Sequence, residues 1–104
     1  MADSPTTRTL KKMRDQGYLA AVVEKWNPHV KVRNDLFGFI DVLAIGENET
    51  VAIQTTTYSN MSKRISKIEN HENIGAVRKA GWKVVVHGWR KVKNRWQVRE
   101  VDIS

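Results

Sequence analysis

Two continuous apolar runs mark the centre of the chain. They are Val42 to Ile45 and Val51 to Ile53, and the polar segment Gly46 to Glu49 separates them. Short apolar runs on either side of a polar turn predict a β-hairpin. Because the runs are continuous rather than alternating, we expect both faces of this hairpin to be covered.

A helix is predicted before the hairpin. Ser4 is a suitable N-cap, Pro5 suits the first helical position, and Leu10 and Met13 follow at helical spacing. Gly17 is then the expected residue just beyond the helix C-terminus. The basic side chains around this helix are either a solvated face or contacts for phosphate.

Two further helices are predicted after the hairpin. Met61, Ile65 and Ile68 recur at helical spacing, and Ser59 or Ser62 is the expected cap. The segment 74–80 predicts a short third helix, which Gly81 closes.

Three more strands complete the pattern. We predict the first strand from Tyr18 to Trp26, followed by a polar loop to Asn34. Strands over 82–89 and 95–103 are joined at the turn Lys93-Asn94. In the last strand the apolar positions fall on both faces, and a bulge near Arg99 is expected to reconcile them.

The order of the main elements is helix, strand, hairpin, helix, strand, strand, with residues 74–80 as a further helical turn or short helix. This order predicts an α/β protein with a mixed β-sheet flanked by helices. The 104 residues are enough for one domain with a modest core, so we expect a single domain over residues 1–104.

Composition narrows the class of protein. The chain has no cysteine, which excludes a disulfide scaffold and a thiolate metal site, and its three histidines lack metal-ligand spacing. There is no Gly-rich phosphate loop and no nucleophile elbow. No apolar run approaches the ~18 residues of a membrane span. We therefore expect a cytoplasmic protein without a membrane partner.

The charge favours a polyanionic partner. Eighteen Lys and Arg against eleven Asp and Glu give a formal net charge of +7. An excess of this size in a small domain favours binding to nucleic acid. Expected phosphate contacts lie on the second helix and at the last turn; they are Lys63, Arg64, Lys67, Arg90, Lys91, Lys93 and Arg95.

The hairpin register brings two polar residues together. If Glu47 and Asn48 form the tip of the turn, Asp41 lies opposite Gln54, about 5 Å away on the same face. A carboxylate and an amide oxygen at that distance suit one hard divalent cation. The alternative is that both are solvent-facing polar residues at strand ends.

The residues Gly38 to Ala44, the turn and Val51 to Thr56 resemble the core of the PD-(D/E)XK nuclease superfamily. The resemblance is to its small members that act like Holliday junction resolvases, and the element order matches along most of the chain. In that family an Asp opens the second core strand, and an acidic residue or Gln, any residue and then Lys close the third. Asp41 matches the first position and Gln54 the second, whereas Thr56 stands where the Lys is expected.

The resemblance implies a restriction-endonuclease-like core and a Mg²⁺ site, with Mn²⁺ as an alternative metal. The implied ligands are Asp41, the side-chain oxygen of Gln54 and the backbone carbonyl of Thr55. It also implies that the helix after the third core strand lies beside the site. Lys63 or Lys67 could then partly replace the Lys that Thr56 displaces.

Two further carboxylates are candidate ligands. Under strict alternation, Glu24 shares a face with aromatic and apolar residues of the first strand, and it is either a third ligand or an exposed acid paired with a Lys. Asp35 either caps a turn or, if Gly38 bends the chain, returns to the metal.

The function that this resemblance implies is Mg²⁺-dependent endonucleolytic cleavage of DNA, including Holliday junctions or other branched DNA. The alternative is a nucleic-acid-binding module on the same fold that does not cleave. We also expect a homodimer, because the hairpin needs cover on both faces and the similar resolvases act as symmetric pairs.

Overall fold

The computed structural model describes residues 4–104. Its elements in chain order are α1 Pro5–Asp15, β1 Leu19–Val22, β2 Lys25–Asn27, β3 Val32–Asn34, β4 Val42–Ile45, β5 Thr50–Thr57, a 3-10 turn Tyr58–Asn60, α2 Met61–Glu69, α3 Ile74–Lys79, β6 Lys83–Val92 and β7 Arg95–Asp102.

Five strands form one mixed sheet in the order β1-β4-β5-β6-β7. The pair β5 and β6 is parallel, and the other neighbours in this sheet are antiparallel. A parallel pair needs a long crossover, which α2 and α3 provide. The predicted α/β class with a mixed sheet and flanking helices is therefore confirmed.

The register of the central hairpin is also as predicted. Val42 lies opposite Ile53 and Ile45 opposite Thr50. Gly46 N–H donates to the carbonyl of Glu49 over 2.8 Å, which closes the turn. The regular register ends at the Val42 pair, because Asp41 N–H donates to the carbonyl of Ile53, the partner of Val42. The side chains of Asp41 and Gln54 are nevertheless in contact.

Both faces of the sheet are covered within one chain. On one face Val42, Ile53 and Val85 pack with Met13 of α1. On the other face Ala52, Val84 and Val86 pack with residues of α2, α3 and the segment before β4. A second subunit is thus not needed to cover the central hairpin, and this reason for expecting a homodimer is removed.

The ends of α1 and α3 follow the predicted signals. The Ser4 hydroxyl accepts a hydrogen bond from Thr7 N–H over 3.2 Å, and Gly17 has φ +91° just after the helix. Gly81, after α3, has φ +80°. The predicted cap of α2 is wrong. A 3-10 turn precedes this helix and its N-cap is Asn60, not Ser59 or Ser62.

The predicted first strand is too long. It breaks after Val22, and Lys25–Asn27 pairs instead with β3 in a separate two-stranded sheet. The segment read as a loop to Asn34 therefore contains a strand. Because the break falls at Val23 and Glu24, face assignment by alternation from Tyr18 does not reach Glu24.

The predicted bulge near Arg99 is also wrong. Pairing between β6 and β7 is uninterrupted from Val85 opposite Asp102 to Val92 opposite Arg95. Apolar residues on both faces of β7 have a simpler cause, since each face meets a different layer. Val101 packs against the core cluster that includes α2 and α3, and Val98 lines a cleft beside α1.

No helix within residues 4–104 is long and apolar enough to cross a membrane.

Candidate functional site

Asp41 lies between two strands at the beginning of β4. Its carbonyl accepts a hydrogen bond from Val23 N–H over 2.8 Å, and its own N–H donates to the carbonyl of Ile53 over 2.9 Å. The backbone of Asp41 is thus held from both sides in the middle of the sheet. Its side chain is only 3% exposed.

The Asp41 carboxylate is held by three donors from β5. Its Oδ2 accepts hydrogen bonds from Gln54 Nε2 at 2.5 Å, Thr55 N at 2.9 Å and Thr55 Oγ1 at 3.1 Å. The predicted proximity of Asp41 and Gln54 is therefore present. The side chain of Asp41 is fixed in one position by this arrangement.

Asp35 comes back to Asp41 through a narrow loop. Leu36 and Ile40 form an isolated antiparallel bridge, with both backbone hydrogen bonds at 3.0 Å. One residue further out, Asp35 and Asp41 lie across from each other. The bend depends on Gly38, which has φ +93° and whose missing Cβ would collide with the His71 imidazole.

Glu24 reaches the same place from the end of β1. Its carboxylate receives an ion pair from Arg33 at 3.0 Å, and its side chain is 13% exposed. The alternative of an exposed acid paired with a Lys is wrong, and a ligand role for Glu24 stays a prediction. Glu24 is paired with a basic residue, which is Arg33 rather than a Lys, and it also joins the acidic group around Asp41.

The three carboxyl groups form a compact acidic cluster, defined here as Glu24, Asp35 and Asp41. One oxygen of each lies within 4.8 Å of the others. Burial, followed by the neighbouring Asp35 carboxyl, raises the pKa of Asp41 to about 8, although the Thr55 N–H partly opposes this rise and the Glu24 charge adds to it. Like charges held this close favour either a shared proton or a bound cation.

Gln54 faces the cluster with its amide nitrogen. In addition to Asp41, the Nε2 group donates to the backbone carbonyl of Thr55 over 3.4 Å. The Gln54 amide nitrogen thus contacts the Asp41 carboxylate and the Thr55 carbonyl, two of the three Mg²⁺ ligands that the resemblance implies. Rotation of the amide by half a turn would present the Gln54 oxygen instead, since the two ends of the amide have the same shape.

The basic candidates on α2 and Thr56 are not joined to the cluster. Thr56 is buried, 6% exposed, opposite Gly88 in the β5–β6 pair. Lys63 and Lys67 are exposed on α2. Within residues 4–104, no hydrogen bond or ion pair connects Lys63, Lys67 or Thr56 with Asp41.

The other basic candidates lie on the projecting β6–β7 hairpin. Its turn has Lys93 and Asn94 at φ 50° and 62°, as the tight turn requires. The Arg90 guanidinium lies 4.3 Å from the centre of the Tyr58 ring, directly after β5. The exposed basic residues at this end of the hairpin are called here the basic surface, although Arg90 and Lys91 lie on opposite faces of the strand. They are Arg90, Lys91, Lys93 and Arg95.

A second buried polar group was not predicted. The Thr9 hydroxyl contacts His87 Nδ1 at 3.1 Å and accepts from Trp89 Nε1 at 2.9 Å, and His87 Nε2 contacts Glu100 at 2.9 Å. His87 is fully buried. Period-two spacing along β6 places His87 and Trp89 on one face, but no sequence signal connects them with Thr9 on α1.

One more contact links α1 to the acidic cluster. The hydroxyls of Thr6 and Thr55 are 2.8 Å apart, and Thr55 in turn donates to Asp41. The first turn of α1 therefore adjoins the site, although no residue of this turn was predicted to act there.

Comparison of the sequence with protein-family models found no match, and comparison with curated proteins found none either.

Proposed function

We propose that the protein is a Mg²⁺-dependent endonuclease that hydrolyses phosphodiester bonds in DNA, with branched DNA such as the Holliday junction as the intended substrate. The observation that carries the proposal is the acidic cluster at the junction of β1, β4 and β5. The element order of the sheet, a three-strand meander followed by a helical crossover to a parallel strand, agrees with the resemblance to PD-(D/E)XK nucleases.

The donor set is suitable for a divalent cation. The cluster offers three carboxyl groups with one oxygen of each within 4.8 Å of the others. Among residues 4–104, the basic side chain that contacts the cluster is Arg33. Hard cations such as Mg²⁺ and Mn²⁺ prefer oxygen ligands of this kind. Glu24, Asp35 and Asp41 would hold the ion, with Gln54 and the Thr55 carbonyl beside it.

A metal ion bound there would polarise the scissile phosphate and lower the pKa of a bound water. The chain's own residues have positioning roles. Thr55 holds the Asp41 carboxylate through both its N–H and its hydroxyl. Gly38 keeps Asp35 turned towards the site, and Arg33 limits the repulsion that Glu24 adds.

Affinity for DNA would come from the exposed basic residues on α2 and from the basic surface of the β6–β7 hairpin. Side chains on a projecting turn reach phosphates more readily than base edges, so binding should depend little on sequence. Replacing Arg90, Lys91, Lys93 and Arg95 together with Ala should weaken binding and reduce its dependence on salt. Unchanged affinity and an unchanged salt slope would show that this surface is only a solvated edge.

A second candidate function is nucleic-acid binding without cleavage. Two features favour it. Gln54 donates its amide nitrogen to Asp41, and Thr56 stands where the resemblance leads one to expect a Lys. One neutral amide contributes less to metal affinity than a carboxylate, and Thr56 cannot supply the positive charge that a Lys gives to the reacting phosphate.

The deciding experiment is cleavage of a labelled four-way DNA junction with and without Mg²⁺. Asp41→Asn should lower Mg²⁺-dependent cleavage by about a hundredfold or more, because it removes a central negative charge of the cluster. DNA binding should persist, because its affinity comes from the basic surfaces. Glu47→Gln, at the exposed turn, is the matched control and should cleave like the wild type.

Two variants separate the two candidate functions. Gln54→Glu should strengthen metal binding, and Thr56→Lys should supply the usual basic residue; either should raise cleavage if the wild type is slow. Cleavage undiminished in Asp41→Asn would place the active site elsewhere. No cleavage by the wild type or by either of these variants would leave the binding module as the function.

We also propose that the protein acts in the cytoplasm as a homodimer. The absence of cysteine supports the location, and the need to cut two strands of a junction supports the pair. Light scattering at working concentrations tests the second part. A mass near the 12.0 kDa of one chain would exclude the homodimer.

A further inference from the structure

An open cleft of about 470 Å³ lies between α1 and the sheet surface of β6 and β7. This volume is within the usual range for small-molecule sites, about 300 to 1,000 Å³. Its lining combines basic residues of α1 with aromatic and apolar residues of the strands: Thr7, Arg8, Lys11, Lys12, Asp15, Gln16, Trp89, Trp96 and Val98.

Trp96 is the exposed aromatic residue of this cleft. It is 44% exposed on β7, which is unusual for so large an apolar side chain. The Arg8 guanidinium carbon lies 3.7 Å from the centre of the Trp96 ring, and Lys91 Nζ lies 5.9 Å from it. The ring is therefore held in place while much of its surface faces solvent.

The rear of the cleft is rigid. Trp89 donates its Nε1–H to Thr9 over 2.9 Å, and Thr9 is fully buried. This contact ties α1 to β6 directly behind the cleft. Trp96 lies beside this rigid part with the Arg8 guanidinium over its ring, so another flat group would stack on the part of the ring that Arg8 leaves open.

The charge of the cleft is positive. Its acid, Asp15, is paired with Lys11 at 2.7 Å. Glu100, on the same face of β7, keeps its negative charge because its partner at 2.9 Å is the neutral His87, but it is a single carboxylate against Arg8, Lys12 and Lys91. Lys12 and Lys91 then contribute positive charge beside Trp96. An apolar flat surface next to cationic side chains matches a nucleobase joined to its phosphate.

We propose that this cleft binds an unpaired nucleotide of DNA, with the base stacked on Trp96 and the phosphates beside Lys12 and Lys91. An unpaired base is required, because bases inside a duplex are already stacked on their neighbours. The inference rests on the nucleic-acid-binding part of the proposed function, but it does not depend on cleavage.

The cleft is connected with the acidic cluster through the first turn of α1. Thr7 lines the cleft, and its neighbour Thr6 contacts Thr55, which holds Asp41. A strand that followed this turn from the acidic cluster would reach the cleft. The protein would thus bind a single-stranded segment next to the bond that it cuts.

The test is a fluorescence titration of the full chain with an oligothymidylate and with a duplex of the same length. We expect the single strand to quench tryptophan emission. Trp96→Ala should lose about tenfold or more in affinity for it, the effect of removing an aromatic stacking partner. Trp96→Tyr should keep most of the affinity because it keeps a stacking ring. The matched control is Trp26→Ala, which removes a Trp of similar exposure (53%) on β2, and it should bind like the wild type.

Three results would overturn the inference: no binding of the single strand by the wild type, equal affinity in Trp96→Ala, or equal competition by polyglutamate of matched charge. The last would indicate an acidic protein partner. Failure of the proposed function gives a different pattern. A protein that does not cleave the junction but shows Trp96-dependent binding of the single strand supports this inference and rejects the enzyme.

Discussion

Two buried polar groups lie on neighbouring strands of the sheet and differ in their balance of charge. Thr55, which holds Asp41, is the register partner of His87 in the parallel β5–β6 pair. Around His87 each described donor has an acceptor. Around Asp41 three carboxyl groups lie close together. The basic side chain that contacts them within residues 4–104 is that of Arg33, which forms an ion pair with Glu24.

The hydrogen bonds around His87 define one protonation pattern. Trp89 donates to the Thr9 oxygen, so the Thr9 hydroxyl hydrogen is available for His87 Nδ1. His87 then donates its Nε2–H to Glu100. A neutral imidazole is satisfied at both nitrogens, and no external ligand is needed.

The difference teaches which buried polar groups are candidates for function. A network with matched donors and acceptors stabilises the fold by itself. A cluster of like charges costs stability unless a proton or a cation joins it. On this reasoning the His87 network is structural and the acidic cluster is the candidate site.

The largest expected effect is on stability and concerns the balanced network. His87→Ala removes one buried and one half-buried hydrogen bond and opens a cavity, which should lower the free energy of unfolding by about 3 kcal/mol. The midpoint of urea denaturation measures this loss. His29→Ala, at an exposed position, is the control and should change little. A loss below about 1 kcal/mol for His87→Ala would contradict a structural role.

The second prediction concerns the unbalanced cluster without metal. Because burial and Asp35 raise the pKa of Asp41 from 3.8 to about 8, the folded protein keeps a proton that the unfolded chain releases in that interval. Stability should therefore fall as pH rises from about 4 to about 8. The dependence corresponds to the single proton that Asp41 retains in the folded protein.

Urea denaturation across this pH range tests the point, with Asp41→Asn as the variant that removes the slope. Added Mg²⁺ should restore stability to the wild type at pH 8 but not to Asp41→Asn. Equal slopes in the two proteins would mean that the acidic cluster holds no raised pKa.

The third prediction has the opposite sign and concerns His87. Burial, together with the positive charge of Lys12, lowers the pKa of His87 below 6.5, although Glu100 opposes this. The unfolded chain therefore binds the proton more readily. The contribution of His87 should be complete above pH 6.5 and should be lost as pH falls.

His87→Gln lacks the titrating group and should show a flatter stability profile below pH 6.5 than the wild type. Measurement in the Asp41→Asn background separates this slope from the one that Asp41 produces. A steeper acid loss in His87→Gln would overturn the assignment of a neutral imidazole.

The smallest expected effect is that of Arg33→Ala. The Arg33 side chain is 67% exposed, so the ion pair with Glu24 should contribute less than about 1 kcal/mol to stability. Its removal should nevertheless tighten Mg²⁺ binding, because the cluster loses its cationic neighbour. Lys11→Ala breaks a different exposed ion pair, with Asp15, and serves as the control for metal binding. Equal Mg²⁺ affinity in both variants and the wild type would show that Arg33 has no influence on metal binding at the acidic cluster.

Local features were predictable because they depend on residues close in the chain. The central hairpin register, the N-cap at Ser4 and the turn at Lys93 and Asn94 are all set within about four residues. The proximity of the Asp41 and Gln54 side chains was predicted from that register, although the regular pairing itself ends at Val42 and Ile53. The α/β class followed from the order of the elements.

Features that failed depend on what lies across the fold. The predicted strand from Tyr18 does not extend to Trp26, because the segment 25–27 pairs with β3 in a separate sheet. Strand β7 pairs continuously with β6 although it has apolar residues on both faces, because each face meets a different layer. The local alternation of residues does not reveal these two layers. The homodimer was inferred because both faces of the central hairpin need to be covered. The helices of one chain already cover them.

By itself the sequence determined that a carboxylate and an amide meet at the open end of a covered hairpin. The tertiary structure alone decided what surrounds them. Glu24 and Asp35 join Asp41 because β1 ends beside it and Gly38 turns the loop back, and Thr9 meets His87 across 78 positions of the chain. Contacts at such separations are chosen by the packing of whole elements, since no short pattern of residues encodes which helix will cover which strand.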